Sequence, residues 1–275
     1  MGEHLNIDEV ALTKGELFTF VTNPEGRAKQ GTIVAIIEGT SSAKINSVLN
    51  QLALVRCKAV KTVSLDMAKS MGLAVTSSFP NAAMVIDKFH VIKLVIEALQ
   101  SYRVAIRWKV LKLENERIRF CKENKYRLHI RTYSNGDTER QLLARSVHVL
   151  FKSPNKWTER QELRATILFK NYPKIKRFYE HVQEFRSIYC EVSIDKARIK
   201  LEKWIEKSYT FKEEVFQKVA NTITNHMENI LNYFTYKKTN AFAESFNSKI
   251  KQFRLNQRGV RDQIFFHYRL MKLFA

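Results

Sequence analysis

The spacing of apolar residues changes after Asp87, and this change constrains the fold more than any other feature of the sequence. The first 87 residues contain short β-branched runs separated by turn signals such as Asn23-Pro24-Glu25-Gly26, a pattern typical of strands. After Asp87 the apolar residues follow a period near 3.6, and Gly136 and Pro154 mark the clear internal breaks. This period indicates amphipathic helices. The chain therefore has an α/β half followed by a helical half, with no recognisable flexible linker between them.

The first half predicts the element order β-β-β-α-β-α-β. We expect strands over 5–10, 17–22, 32–37, 60–66 and 82–86, with a helix over 42–54 and a shorter one ending near 77–80. This order implies a mixed five-stranded sheet flanked by helices. In the second half we expect helices over about 88–125, 138–151, 157–170, 173–190, 195–207, 211–233, 239–255 and 260–273.

The positive charge is confined to part of the chain. The net charge is +20, yet the residues up to Asp87 carry eight basic and eight acidic side chains. Residues 88–130 carry eleven basic against four acidic side chains, and residues 237–275 carry nine against two. Aromatic residues such as Trp108 and Phe120 interrupt the first of these basic stretches. A one-sided excess of this size favours contact with a nucleic-acid backbone over an ordinary solvated surface.

Cysteine spacing and hydropathy exclude several classes of protein. The three cysteines contain no CxxC pair, which excludes a zinc ribbon and a disulfide framework, and we expect three buried free thiols. No apolar run has the roughly 18 to 20 residues that a membrane-spanning helix needs, and the first ten residues lack the features of a signal peptide. We expect a cytoplasmic protein.

Two aspartates are expected at the ends of strands. Asp8 ends the first strand and Asp66 ends the fourth. Because side chains alternate along a strand, Asn6 and Asp8 share one face, as do Ser64 and Asp66. The two carboxylates would meet if these strands were neighbours. Strand-end aspartates also commonly cap helices, so neither residue alone indicates catalysis.

A third carboxylate lies far away in the sequence. At 3.6 residues per turn, Asn240, Glu244, Asn247 and Lys251 form one polar stripe of a predicted helix. Phenylalanines lie on its apolar side, at positions 242, 246 and 253. A helix of this kind can pack on the sheet and bring Glu244 to the two aspartates. Carboxylates that converge from separate elements are what two Mg²⁺ ions need in order to act on a phosphodiester.

Several ordered blocks of sequence resemble the ISL3 family of bacterial insertion-sequence transposases. Ile7-Asp8-Glu9, followed by Lys14-Gly15, resembles the family's first block. The middle blocks are 63–67, 79–82 and 87–91, and the last comprises Thr239-Asn240, Glu244, Asn247, 249–251, 259–261, Phe266 and Arg269-Leu270. The resemblance covers nearly the whole chain, and the ordered set is far more specific than any single block.

This resemblance implies a ribonuclease H-like fold, α/β in class, with a large all-helical insertion before the last catalytic helix. The catalytic core would cover residues 1–90 and 236–275, and the insertion residues 91–235. Asp8, Asp66 and Glu244 would form the DDE triad and bind two Mg²⁺ or Mn²⁺ ions. Accessory roles near the metal would fall to Glu9, Asp87, His90, Asn240 and Asn247. DNA phosphates would be held by Lys249, Lys251, Arg254, Arg258 and Arg261.

Asp87 is an alternative to Asp66 as the second aspartate, because it also ends a strand. We prefer Asp66, since the second metal ligand of this fold follows the fourth strand and Asp87 follows the fifth. We expect Asp87 to cap the helix that begins at Lys88, or to support the ligands, and His90 to pack in the first turn of that helix.

The expected function is metal-dependent cleavage and strand transfer of transposon DNA, with transposon ends and target DNA as partners and a homo-oligomer assembled on the DNA. Fuller members of the family look as though they carry a zinc-binding and helix-turn-helix region upstream, whereas seven residues precede Asp8. We therefore expect a separately encoded DNA-binding subunit, with a truncated element or an expressed fragment as alternatives. Two other functions stay open: an inactive transposase remnant that binds DNA, and a ribonuclease H-like nuclease.

Overall fold

The structure, a computed structural model, describes residues 1–12, 15–257 and 262–275. One sheet contains β1 (His4–Ala11), β2 (Leu17–Thr22), β3 (Ile33–Glu38), β4 (Thr62–Leu65) and β5 (Ala83–Ile86). The helices between and after the strands are α1 (Ser42–Leu49), α2 (Leu54–Lys58), α3 (Lys69–Ser78), α4 (Lys88–Glu123), α5 (Glu139–Arg145), α6 (Val147–Phe151), α7 (Glu159–Asn171), α8 (Pro173–Ile188), α9 (Ile194–Tyr209), α10 (Glu214–Asn225), α11 (Met227–Tyr236), α12 (Ala241–Asn256) and α13 (Gln263–Phe274).

The strands lie in the order β3-β2-β1-β4-β5. The first three strands pair antiparallel, whereas β4 runs parallel to both β1 and β5. The carboxyl ends of β1, β4 and β5 therefore meet at one edge of the sheet. This mixed sheet, with helices following it, confirms the predicted ribonuclease H-like α/β fold class.

Alternation along β1 directs its side chains into separate layers. Leu5 and Ile7 are buried on one face, and α1 and α3 pack together beside β3 and β4. Val10, on the other face, joins Phe18 and Phe20 in a cluster that includes residues of α12 and α13. The sheet is thus covered on the face to which Asn6 and Asp8 also belong.

Three predicted helices are interrupted. The helix expected over 42–54 ends at Leu49 and resumes as α2, the one over 138–151 divides at Ser146, and the one over 211–233 begins at Glu214 and divides at His226. Apolar spacing continues across each interruption, so periodicity alone does not detect it. At Ser146 the side-chain hydroxyl donates to the carbonyl of Leu142 at 2.6 Å, a bond that often bends a helix.

The chain divides into two compact units. Unit 1 contains residues 1–91 and 225–275, with the sheet and the last three helices, and unit 2 contains residues 92–224. Within unit 1, α11 packs against β5, and Asn232 donates from Nδ2 to the carbonyl of Met84 at 2.8 Å. Unit 2 has its own aromatic core, which includes Phe178, Phe185 and Trp204.

The cysteines are free, but only Cys57 is buried; Cys121 is half-buried and Cys190 is exposed. The expectation of three buried thiols was therefore wrong for two of them, because both lie near helix ends at the surface. None of the helices in the described ranges is both long and apolar enough to cross a membrane.

Candidate active site

The register of the sheet places Asp8 beside Asp66. Asn6 on β1 is opposite Ser64 on β4, so the residues two positions further along each chain, Asp8 and Asp66, follow on the same face at the carboxyl edge. The same register connects β4 to β5, where Ser64 is opposite Val85. Asp87 therefore occupies the corresponding level on the third parallel strand.

Asp8 is half-buried and held by two hydrogen bonds. Its Oδ1 accepts from the backbone N–H of Glu9 at 2.9 Å, and its Oδ2 accepts from Nδ2 of Asn247 at 2.7 Å. Burial raises the pKa of Asp8 to about 6; the Glu9 N–H opposes this shift, and the carboxylates of Asp66 and Glu244 add to it. Asp8 is thus within electrostatic range of each of the other two predicted ligands.

Asp66 is half-buried in the loop that follows β4. Its Oδ1 accepts from the backbone N–H of Ala68 at 2.7 Å, an Asx-type turn that fixes the side chain relative to the strand. Burial raises the pKa of Glu9, and the charge of Asp66 raises it further. Glu9, predicted to have an accessory role, therefore lies within electrostatic range of Asp66.

Glu244 lies on α12, which packs on the sheet through its apolar side. Phe246 and Ile250 are buried in the cluster with Val10, as the predicted apolar stripe requires. The polar stripe of α12 carries Glu244 and Asn247. The hydrogen bond from Asn247 to Asp8 joins residues 239 positions apart in the sequence. Packing and this hydrogen bond together bring the polar stripe of α12 to the end of β1.

Asp87 and His90 lie with Glu244 rather than apart from it. One ligand atom from each of these three residues lies within 4.8 Å of the other two. Asp87 is 2 % exposed, and its Oδ2 is 3.3 Å from Nδ1 of His90. The two atoms are at ion-pair distance, but neither has a hydrogen-bond partner with good geometry among the described residues. The Asp87 carboxylate raises the pKa of His90, against the effect of burial.

The other oxygen of Asp87 has a different partner from the one expected. Its Oδ1 accepts from the backbone N–H of Asn240 at 3.1 Å, so within the described chain the carboxylate holds the start of α12 instead of capping α4. Asn240 is fully buried, and both polar atoms of its side chain lack a hydrogen-bond partner among the described residues. The expected capping of α4 by Asp87 is thus replaced by a long-range contact, which apolar spacing cannot reveal.

The predicted DNA-contacting residues fall into three groups. Lys249 and Lys251 are exposed on α12. Arg254 is not a surface cation: its side chain is 8 % exposed, 3.8 Å from Glu16, with its guanidinium 4.8 Å from the ring centre of Phe266. Arg254 is therefore less accessible to a DNA phosphate than Lys249 and Lys251 are, since its guanidinium is already paired and packed. The remaining two residues, Arg258 and Arg261, lie outside the described residues.

Comparison with known proteins decides the family. A family model described as a transposase, of the ISL3 type of DDE transposases, matches residues 5–270. The chain belongs to the ISL3 transposase family. The matched range contains Asp8, Asp66 and Glu244, together with Asp87 and His90.

The curated relatives that the chain matches are distant and longer. The chain is 22 % identical over 273 residues to the transposase of insertion sequence element IS1001 from Bordetella parapertussis, covering 99 % of this chain and 61 % of that protein. It is 24 % identical over 253 residues to the transposase of IS1557 from Mycobacterium tuberculosis, covering 90 % and 54 %. This ISL3 chain therefore spans between about half and three fifths of the length of these relatives.

Asp87 and His90, for which we predicted accessory roles near the metal, each have a possible ligand atom within 4.8 Å of one on Glu244, and the sequence contains a signal for this position. Asp87 follows β5 just as Asp66 follows β4, and β5 is the next parallel strand. His90 comes three residues later on a helix, a spacing that returns it to the same side. Equivalent strand ends therefore place Asp87 at the same edge of the sheet as the other two aspartates.

Proposed function

We propose that this chain is the catalytic region of a transposase, with divalent metal ions bound by Asp8, Asp66 and Glu244. The observation that carries the proposal is the hydrogen bond from Asn247 to Asp8, which joins the polar stripe of α12 to the edge of the sheet where β1 and β4 end side by side. The raised pKa of Asp8, due to burial and then to Asp66 and Glu244, supports a shared site. The 1–91 and 225–275 unit would be the catalytic core, and the 92–224 unit the helical insertion.

The residues fit Mg²⁺ or Mn²⁺. Carboxylate oxygens are the ligands that these ions prefer. The buried Oδ2 of Asp87 has no hydrogen-bond partner in the described chain, and it adds negative charge beside the proposed ligands that a cation would offset. Carboxylates crowded at a buried edge repel one another, and a cation between them relieves this repulsion. When bound, two such ions supply an activated hydroxyl and neutralise charge on the phosphate.

The protein's own contribution is orientation. Asn247 and the N–H of Glu9 each hold one oxygen of Asp8, and the N–H of Ala68 holds one oxygen of Asp66. These bonds fix the carboxylates before substrate arrives, so little reorganisation is needed during the reaction. In the proposed reaction, water and then a freed 3′-hydroxyl attack DNA phosphates in line with the leaving oxygen.

DNA would be held by basic side chains of each unit. Lys249 and Lys251 are exposed one to two turns after Glu244 on α12. In unit 2, Lys109 and Lys112 are exposed on α4 near Trp108, whose side chain is 63 % exposed. We propose that transposon ends and target DNA are the substrates, that copies of the chain assemble on them, and that a further DNA-binding part or subunit reads the end sequence.

The substitution Glu244→Gln tests the catalytic assignment, because it keeps the size of the side chain and removes its charge. We expect Mn²⁺-dependent nicking of supercoiled DNA to fall at least about 100-fold. Binding of DNA and the melting temperature should barely change, since Glu244 is half-exposed and its carboxylate has no hydrogen bond to another described residue. The matched control is Glu214→Gln, a side chain 78 % exposed in unit 2, which should leave nicking unchanged.

Two further results would overturn parts of the proposal. Loss of stability with unchanged nicking per folded molecule would remove Glu244 from the catalytic set. A wild type that binds DNA but neither nicks it nor binds Mn²⁺ would be an inactive remnant. Joining of a 3′-hydroxyl end to a second duplex distinguishes a transposase from a nuclease with the same carboxylates.

A further inference from the structure

Asp87 has a position in the sheet that the proposed triad does not use. It lies at the same level of the carboxyl edge as Asp8 and Asp66, on the third of three neighbouring parallel strands. It is also more buried than either of them, at 2 % exposure. A carboxylate this deep in a protein is rare unless another group compensates its charge.

Besides His90, which lies near Oδ2, the compensating group is the start of α12. Oδ1 of Asp87 accepts from the N–H of Asn240, 153 residues away in the sequence. Asn240 is the N-cap of α12, and its own side chain makes no capping hydrogen bond. A carboxylate at the N-terminus of a helix is favourable because unpaired N–H groups and the helix dipole are positive there.

Local sequence cannot supply this bond. In a capping box, the third residue of the helix is Glu or Gln and reaches back to the N–H of the N-cap. In α12 that third residue is Ala243, which has no acceptor. Asp87 therefore takes the place of the missing acceptor from the end of β5.

The bond lies one turn from Glu244. The backbone N–H of Glu244 donates to the carbonyl of Asn240 at 3.0 Å, so the residue held by Asp87 is also the first partner of Glu244 in the helix. Any displacement of Asn240 would move the Glu244 carboxylate relative to Asp8 and Asp66. Shifts of this kind matter, because metal ligands depend on groups behind them for orientation.

We propose that Asp87 is a positioning residue, which fixes the N-terminus of α12 to the end of β5 and so places Glu244 at the metal site. This inference rests on the proposed function of Glu244 as a metal ligand. It assigns Asp87 a role through Asn240 rather than as a ligand of its own.

Binding of Mn²⁺, measured by electron paramagnetic resonance together with the melting temperature of each variant, tests this role without an activity assay. Asp87→Ala removes the acceptor and should weaken Mn²⁺ binding about tenfold or more. Asp87→Asn retains an oxygen at Oδ1 and should bind Mn²⁺ within about threefold of the wild type, which is the rescue expected of a positioning group.

A second variant removes the same hydrogen bond from its other end. Asn240→Pro deletes the donating N–H, and the proline ring takes the space of that hydrogen and so pushes the Asp87 carboxylate away; the φ of −87° at Asn240 is close to the range that proline adopts. Mn²⁺ binding should weaken about as much as in Asp87→Ala. If Asp87→Ala does not fold, this variant carries the test.

The matched control is Asp262→Ala. Asp262 caps the neighbouring helix α13 through the N–H groups of Ile264 and Phe265. Its removal should lower the melting temperature while Mn²⁺ binding per folded molecule stays unchanged.

The outcomes separate the two proposals. If Asp87→Asn and Asp87→Ala lose Mn²⁺ binding equally while Asn240→Pro binds Mn²⁺ as the wild type does, Asp87 is a direct ligand and the positioning role is overturned. Unchanged Mn²⁺ binding in Asp87→Ala and Asn240→Pro, with loss in Glu244→Gln, would overturn the positioning role alone. Unchanged binding in Glu244→Gln would overturn the proposed function itself.

Discussion

Two histidines, one in each unit, lie beside a carboxylate three residues away in the sequence, and their surroundings give them opposite properties. In unit 2, Nδ1 of His181 is 3.4 Å from Glu184; in unit 1, Nδ1 of His90 is 3.3 Å from Asp87. Burial lowers the pKa of His181 to about 4. The Asp87 carboxylate instead raises the pKa of His90.

The difference comes from the groups around each ring. His181 stacks on Trp204, with ring centres 4.4 Å apart, and its Nε2 is 2.7 Å from the hydroxyl of Ser208. His90 lies among carboxylates, and the charges of Asp8 and Asp66 also raise its pKa. His181 lies in a packed core, where its ring nitrogen has a partner. Around His90, by contrast, buried polar atoms lack hydrogen-bond partners among the described residues. Unpaired buried groups lower stability, and a bound ion or a catalytic role is one explanation for their presence.

The largest expected effect on stability comes from unit 2, at Asp137. Burial alone would raise the pKa of Asp137, but hydrogen bonds from Arg164 and Arg145 lower it below its usual value. Asp137→Asn should destabilise the protein by about 3 kcal/mol, the lower end for a broken buried pair, because the side chain of Arg145 is 54 % exposed. Urea unfolding measures this loss, and Mn²⁺ binding per folded molecule should not change. A loss of Mn²⁺ binding would show that Asp137 in unit 2 also affects the metal site proposed in unit 1, and not stability alone.

The second effect is a pH dependence of stability that originates at His181. Its pKa is about 4 in the folded protein and near 6.5 when unfolded, so the unfolded state binds more protons between these values. The free energy of unfolding should therefore decrease as pH falls through this window, by roughly 1.5 kcal/mol between pH 6.5 and pH 5. In His181→Gln, which cannot titrate, this contribution should vanish. Equal slopes in both proteins would show that His181 is not buried in its neutral form.

The third effect is smaller and concerns Asn240. Replacing an N-cap Asn by Ala usually costs about 0.5–2 kcal/mol, but the Asn240 side chain makes no capping bond. Asn240→Ala should therefore change the free energy of unfolding by less than about 0.5 kcal/mol, since removal of an unpaired buried amide offsets the poorer packing. A destabilisation above about 2 kcal/mol would mean that this amide has a partner in the folded protein.

Periodicity and strand-end position predicted the parts of the site that depend on local patterns. The alternation around Asp8 and Asp66 and the stripe around Glu244 predicted which faces those side chains share. The contact between Asp87 and Asn240 forms because the chain returns to the same edge of the sheet after 153 residues. No local spacing in the sequence encodes this return. The surroundings of Arg254 escape local spacing for a related reason: its pairing with Glu16 and its packing on Phe266 require tertiary structure.

The variants with the smallest expected effect on stability replace exposed lysines. They measure how much each unit contributes to DNA binding. Lys249 and Lys251 in unit 1, and Lys109 and Lys112 in unit 2, are exposed lysines, so alanine at each should leave the melting temperature nearly unchanged. For every DNA phosphate that a variant no longer neutralises, the slope of log affinity against log salt should decrease by about 0.9. If each unit binds DNA, the Lys249→Ala/Lys251→Ala and Lys109→Ala/Lys112→Ala double variants should each reduce the slope by up to about 1.8. Fluorescence anisotropy with a labelled duplex at several salt concentrations measures both slopes. An unchanged slope in Lys109→Ala/Lys112→Ala alone would mean that this face of α4 does not contact DNA. An unchanged slope in Lys249→Ala/Lys251→Ala would mean that the two α12 lysines do not contact DNA.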